Sequence, residues 1–161
     1  MKFLKPLPDP MEYLKKEDFI LINRLTVERH GGNFVPPFNF LNENSLDYLI
    51  EAVEAEMFGE PLYPEIGDKA AVYMFSVITG HIFQDGNKRT GLEAALLFLR
   101  LNGFRLIENP EKLEIKKNSL LPEERQRSNE ILFEFTMSLA SGKVDLDACR
   151  RWFKMNIEKR K

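Results

Sequence analysis

Cysteine is nearly absent: Cys149 is the only one in 161 residues, which excludes an internal disulfide and any zinc site built from thiolates. No apolar run reaches the length that spans a bilayer, so no membrane partner is expected. The opening stretch MKFLKPLPDP is broken by prolines and lacks a continuous apolar core. It makes a poor signal peptide, and a cytoplasmic address is the expectation. An excess of charge of one sign is lacking as well. With 23 Lys and Arg against 25 Asp and Glu, the net charge is -2, and no global field draws the chain to nucleic acid or anionic lipid. Any electropositive site must therefore be local. The sequence has no repeat, no low-complexity segment, no Walker loop and no dinucleotide fingerprint, so a bound nucleotide would need another device.

What is present is apolar content of 43%, with 11% aromatic residues, enough for one domain over residues 1–161 with a proper core. Residues 1–12, with three prolines, read as an extended arm. From Lys16 to Arg29 the spacing of Phe19, Ile22 and Val27 predicts a first helix, stopped by Gly31-Gly32. His30, at its end, reads as structural, because a helix C-terminus welcomes a cation. Phe34, Phe38 and Phe40 around Pro36-Pro37 read as an irregular segment whose rings close the edge of the core. A second helix, capped by Asn44 or Ser45, carries Leu46, Leu49, Ile50 and Val53 inward and Glu51, Glu54 and Glu56 outward.

FGEPLYP, residues 58–64, breaks helix with two prolines and a glycine and reads as a small hairpin or flap. A third helix from Ile66 or Asp68 to about His81, and a fourth from Arg89 to Asn102 ended by Gly103, are apolar nearly all round and belong inside. Phe104–Ile107 reads as a brief extended piece, 110–119 as a short helix or loop, Glu123–Ala140 as a fifth helix and Leu146–Ile157 as a sixth. The basic RRWFK and EKRK stretches read as a solvated final helix, and no direct nucleic-acid partner is expected. The fold class is therefore all-α, a compact bundle of about six helices with a small flap.

Between the two central helices lies His81-Ile82-Phe83-Gln84-Asp85-Gly86-Asn87-Lys88-Arg89-Thr90-Gly91. Cations in the first turn of a helix oppose its positive end, so Lys88 and Arg89 are unfavourable there unless an anion offsets them. Asn87 reads as the helix cap, and Gly86 lets the backbone come close to a bound group. Free N–H groups, a point charge and a planar guanidinium suit a polyphosphate. Asp85 would repel such a ligand unless a divalent cation sits between them, and Mg2+ typically combines one or two carboxylates with phosphate oxygens and water. His81, just before the loop, can serve as general base toward an attacking hydroxyl. Phe83 reads as the apolar anchor of the loop.

HIFQDGNKRTG closely resembles the signature of the Fic/Doc superfamily, and in particular of its Doc (death on curing) branch of toxins. The likeness continues through LEAALLFLRLNGF and faintly through RLTVERHGG, covering most of residues 17–107; residues 108–161 would form a helical extension. The resemblance implies a compact helical fold and transfer of part of a nucleoside triphosphate, ATP or another, to a protein hydroxyl. It implies His81 as base, Asp85 as the Mg2+ ligand, and Gly86, Asn87, Lys88 and Arg89 as the phosphate-binding loop. Gly59, Glu60, Pro61, Leu62 and Tyr63 stand where the family has a flap that holds the target as an added strand.

AMP-transferring Fic enzymes have glycine where this chain has Lys88 and arginine where it has Leu92. Both changes match the Doc branch, which implies phosphoryl transfer to a Ser or Thr of a translation protein such as elongation factor Tu, with the nucleotide reversed. Gly86, where Doc has alanine, departs from that branch. The alternatives are AMP transfer and a non-catalytic module that binds an antitoxin or a nucleotide. Ser119–Glu123 has the spacing of the family's inhibitory helix but contains Pro122 and is followed by Glu124. The implied control is a separate Phd-like antitoxin.

Overall fold

The computed structural model describes residues 10–108, 110 and 128–161. The readings for residues 1–9 and 111–127, among them the start of the fifth helix and the Ser119–Glu123 stretch, lie outside the described residues. Element order is α1 (Lys16–His30), α2 (Glu43–Ala52), β1 (Glu56–Met57), β2 (Glu60–Pro61), α3 (Ile66–Thr79), α4 (Asn87–Leu101), β3 (Phe104–Leu106), α5 (Ser128–Ala140), α6 (Leu146–Asn156) and β4 (Ile157–Lys159). This is an all-α bundle with two short antiparallel pairs, β1–β2 and β3–β4. No described helix is long and apolar enough to cross a membrane.

The apolar α3 is the axis. It packs most extensively on α4 and α6, while α1 lies across α4. Residues 66–74 of α3 are buried without interruption, which a helix tolerates only where neighbours cover it all round. Tyr73 packs on Phe19 of α1 and Phe98 of α4, with ring centroids 5.6 and 4.9 Å away. At the other end of the core Trp152 stacks on Phe135 at 4.2 Å and meets Phe153 edge-on. Along α5, Ile131, Phe135 and Leu139 share one side and are buried.

The buried charges described in this core are an ion-paired aspartate and a lysine held by a carbonyl and an aromatic ring. Asp68, fully buried near the start of α3, accepts from Arg150 Nε at 2.9 Å and faces Lys154 Nζ at 3.3 Å, both on α6. Lys69 donates from Nζ to the Val53 carbonyl at 2.9 Å and lies 5.4 Å from the centre of the Tyr13 ring; its burial lowers its pKa.

Several expectations need correction. α2 starts at Glu43 behind Asn42 rather than behind Asn44 or Ser45, and stops at Ala52. Glu54 and Glu56 are therefore off the helix, Glu56 on β1, because the chain turns there to feed the hairpin. α3 ends at Thr79 rather than His81. Asn87 is not the cap of α4: Gly86 holds that place. Residues 157–159 leave the final helix as β4 and pair with β3, a long-range partnership that local periodicity does not carry.

Candidate active site

The loop from Gly80 to Gly86 keeps its shape because neighbouring segments hold its backbone. His81 sits at φ 45, uncommon for a residue with a Cβ, as is often found where a site holds a side chain in a fixed direction. Asn42 Nδ2 donates to the carbonyls of Gly80 and His81 at 3.1 and 3.0 Å. The N–H groups of Leu41 and Asn42 donate to the Ile82 carbonyl. Phe83 is buried, bridges to Phe40 as a single antiparallel pair and stacks on its ring at 5.3 Å. The aromatic segment is thus the wall that the loop leans on, and its exposed ring is Phe38.

Asn87 spends its side chain on the loop. Its Oδ1 accepts the Phe83 N–H at 2.9 Å and its Nδ2 donates to the Phe83 carbonyl at 2.8 Å. With Gly86 at φ 79 as the cap, the first helical bond runs from Thr90 N–H to the Gly86 carbonyl at 2.9 Å. The N–H groups of Asn87, Lys88 and Arg89 therefore have no helical acceptor and point out of the helix start. Gly86 serves the turn rather than the approach of a ligand: a Cβ there would lie 3.1 Å from Asn23 Nδ2 and 3.4 Å from Val27 Cγ2, facing α1.

Asp85 is exposed, and its two oxygens are already oriented. Oδ2 accepts from Asn33 N–H at 2.9 Å and Oδ1 from Gly86 N–H at 2.8 Å. These bonds, foremost the one from Asn33, and the charge of Lys88 hold the carboxyl below its ordinary range. Gly32, at φ 128, passes so near that a Cβ would meet Asp85 Oδ2 at 2.9 Å. The Gly31-Gly32 stop of α1 is thus also what lets Asn33 reach the carboxylate.

His81, Asp85, Gly86, Asn87, Lys88 and Arg89 line one cavity of about 440 Å³, faced by Thr26, His30 and Gly31 from the end of α1 and by Ala140 of α5. Phe83 supports it from behind. The hairpin residues Gly59, Glu60, Pro61, Leu62 and Tyr63 are not among its lining residues; Arg150 lies 5.3 Å over the Tyr63 ring, and Phe58 at the hairpin tip is 98% exposed. Sequence reasoning missed His30 and Thr26, which line this cavity and, with Arg89, a smaller neighbour of about 180 Å³. It also missed the buried pair Asn23 and Asn39. The available signal was two asparagines in otherwise apolar surroundings.

Among the described residues no three His, Cys, Asp or Glu gather to hold a metal. Asp85 is the one carboxylate residue among the described residues lining the cavity, the number a cation completed by phosphate oxygens and water typically takes from a protein. Chemically, the cavity combines a carboxylate held ionised, an imidazole, two cations and a helix start. It is suited to a phosphorylated ligand and to proton removal beside it.

The Fic/DOC family model matches residues 13–99. The chain is similar to the protein kinase doc of Escherichia phage P1, 31% identical over 105 residues that cover 65% of this chain and 79% of that protein. It is also similar to toxin Doc of Mycolicibacterium smegmatis, 34% identical over 95 residues, 59% of this chain and 68% of that protein.

Proposed function

The chain belongs to the Fic/DOC family, and from that membership we propose that it is a Doc-type toxin, a transferase that moves the terminal phosphoryl group of ATP or another nucleoside triphosphate to a protein Ser or Thr. The observation that carries this reading is the one cavity shared by His81, Asp85 and the first residues of α4, whose N–H groups precede the first helical bond.

In this reading the N–H groups of Asn87, Lys88 and Arg89, with the Lys88 and Arg89 side chains, hold the phosphate oxygens and offset their charge. One ring nitrogen of unprotonated His81 takes the proton of the target hydroxyl. Its oxygen bonds to the terminal phosphorus as the bond from that phosphorus to the bridging oxygen breaks, and a nucleoside diphosphate leaves. Asp85 would hold Mg2+, which supplies neutralisation of phosphate charge. The β1–β2 hairpin is assigned to gripping the target segment by strand addition. A translation protein such as elongation factor Tu is the substrate class, the cytoplasm the compartment and a Phd-like antitoxin the controlling partner.

Lys88 and Leu92 favour phosphoryl over AMP transfer, whereas Gly86, where Doc has alanine, departs from the Doc branch. ATP labelled at the α or the γ phosphate separates the two in cell extract. Label entering a protein from the γ position only supports the kinase; label from the α position only replaces it with AMP transfer. A His81→Ala variant is expected to transfer neither. Normal modification by that variant removes the proposed base. If wild type and Asp85→Ala both leave growth unaffected on expression, the chain is a binding module instead.

A further inference from the structure

Asn23 lies mid-helix in α1, fully buried, and all of its side-chain hydrogen-bonding atoms are engaged. Nδ2 donates to the Asp85 carbonyl at 2.8 Å and to Thr90 Oγ1 at 3.1 Å. Oδ1 accepts from Asn39 Nδ2 at 3.0 Å. Asn39 is itself fully buried, at φ 63. Its Oδ1 takes the Val35 N–H at 2.7 Å and its carbonyl takes the Gln84 N–H at 2.8 Å. One carboxamide on α1 thus joins the aromatic segment, the loop and the first turn of α4.

A leucine would fill the same space without burying polar atoms, so the amide is there for its bonds. The decisive bond is the one to the Asp85 carbonyl. That carbonyl and the Gly86 N–H belong to one planar peptide unit, and the same N–H donates to Asp85 Oδ1. Fixing the carbonyl fixes the plane, hence the direction of the carboxylate and of the N–H groups that follow Gly86. Thr90 Oγ1, one turn into α4, has no such leverage. We propose that Asn23 is the positioning residue of the anion loop, setting the Asp85–Gly86 peptide plane from α1; its consequence for nucleotide binding rests on the transferase reading above.

The test compares Asn23→Leu with Thr90→Val, which cuts the same amide network on the side away from Asp85. Two quantities are measured on the folded full chain: the amide proton shifts of Asn33 and Gly86 by NMR, and affinity for ATP with Mg2+. Asn23→Leu is expected to move both amide protons away from their carboxylate-bonded shifts and to weaken ATP about tenfold or more, the effect of losing one net hydrogen bond. Thr90→Val is expected to leave both near wild type. Unchanged shifts in Asn23→Leu, or equal losses in the two variants, overturn the proposal and assign Asn23 to packing alone. If wild type does not bind ATP, the transferase reading falls and the amide shifts alone decide the positioning role. Should Asn23→Leu not fold, Asn23→Gln, which displaces the amide by one methylene, is judged by the same criteria.

Discussion

Removing the Asn87 side chain tests how the loop is held. Asn87→Ala deletes both bonds to the Phe83 backbone, at 2.9 and 2.8 Å. Each is worth about 0.5–1.5 kcal/mol net, and the Phe83 peptide groups left behind are partly buried, which moves the sum toward about 2–3 kcal/mol. The better helix propensity of alanine returns about half a kcal/mol. The expected loss is thus about 2 kcal/mol, or roughly 4–8 °C in Tm for a chain of this size. Urea denaturation with an unchanged m-value, checked by calorimetry, measures it. Asn87→Asp keeps the acceptor for the Phe83 N–H, sets an oxygen against the Phe83 carbonyl, and gains about 0.3–1 kcal/mol from a negative charge at the helix start. It should fall between alanine and wild type. An Asn87→Ala protein within about 0.5 kcal/mol of wild type, or an aspartate less stable than alanine, refutes the clamp. Because the variant keeps its main-chain N–H, any loss of phosphate binding reports a displaced loop.

Asp85 titrates below its ordinary 3.8, so its contribution to stability is complete above that value and disappears as pH falls through the lower folded one. The Asn33 and Gly86 amides should shift together with a midpoint under 3.8 in wild type and not at all in Asp85→Asn; a midpoint at or above 3.8 contradicts the bonding. Asp68→Ala deprives Arg150 and Lys154 of their buried carboxylate, although each keeps a more exposed one, Asp147 and Glu65, and should cost about 1.5–3 kcal/mol by chemical denaturation. A loss under about 1 kcal/mol refutes that account. Gly86→Ala forces a Cβ into a left-handed residue at a cost of about 1–2 kcal/mol and presses on Asn23 Nδ2. A Tm equal to or above that of the glycine protein shows that the turn does not need this φ.

The six helices and the hairpin were legible because they follow from local signals: apolar periodicity, glycine stops and paired prolines. That a pocket would form around residues 85–89 followed from cations at a helix start, which are unfavourable without an anion, and His81, Asp85 and residues 86–89 do line one cavity. What sequence did not carry was set by partners distant along the chain. Asn87 resembles a cap by residue type, yet Phe83 takes its side chain and the left-handed Gly86 begins the helix. Gly86 was read as clearance for a ligand, and its bare side faces Asn23 and Val27. His30 was explained by the end of its own helix, although the return of α1 to α4 brings it to the cavity. β4 depends on β3, more than fifty residues earlier in the chain, and nothing local marks it.

The way α3 is covered bears on the order of events during synthesis. Its Asp68 finds its cationic partners on α6, which starts at Leu146. At about 5–20 residues per second the ribosome needs several seconds to travel from α3 to α6. For most of that interval the nascent chain carries the entire anion loop, but the helix before it lacks one of its two main packing surfaces and a counter-charge. A ligand or partner that recognises the loop would have this interval to engage the chain before the fold closes.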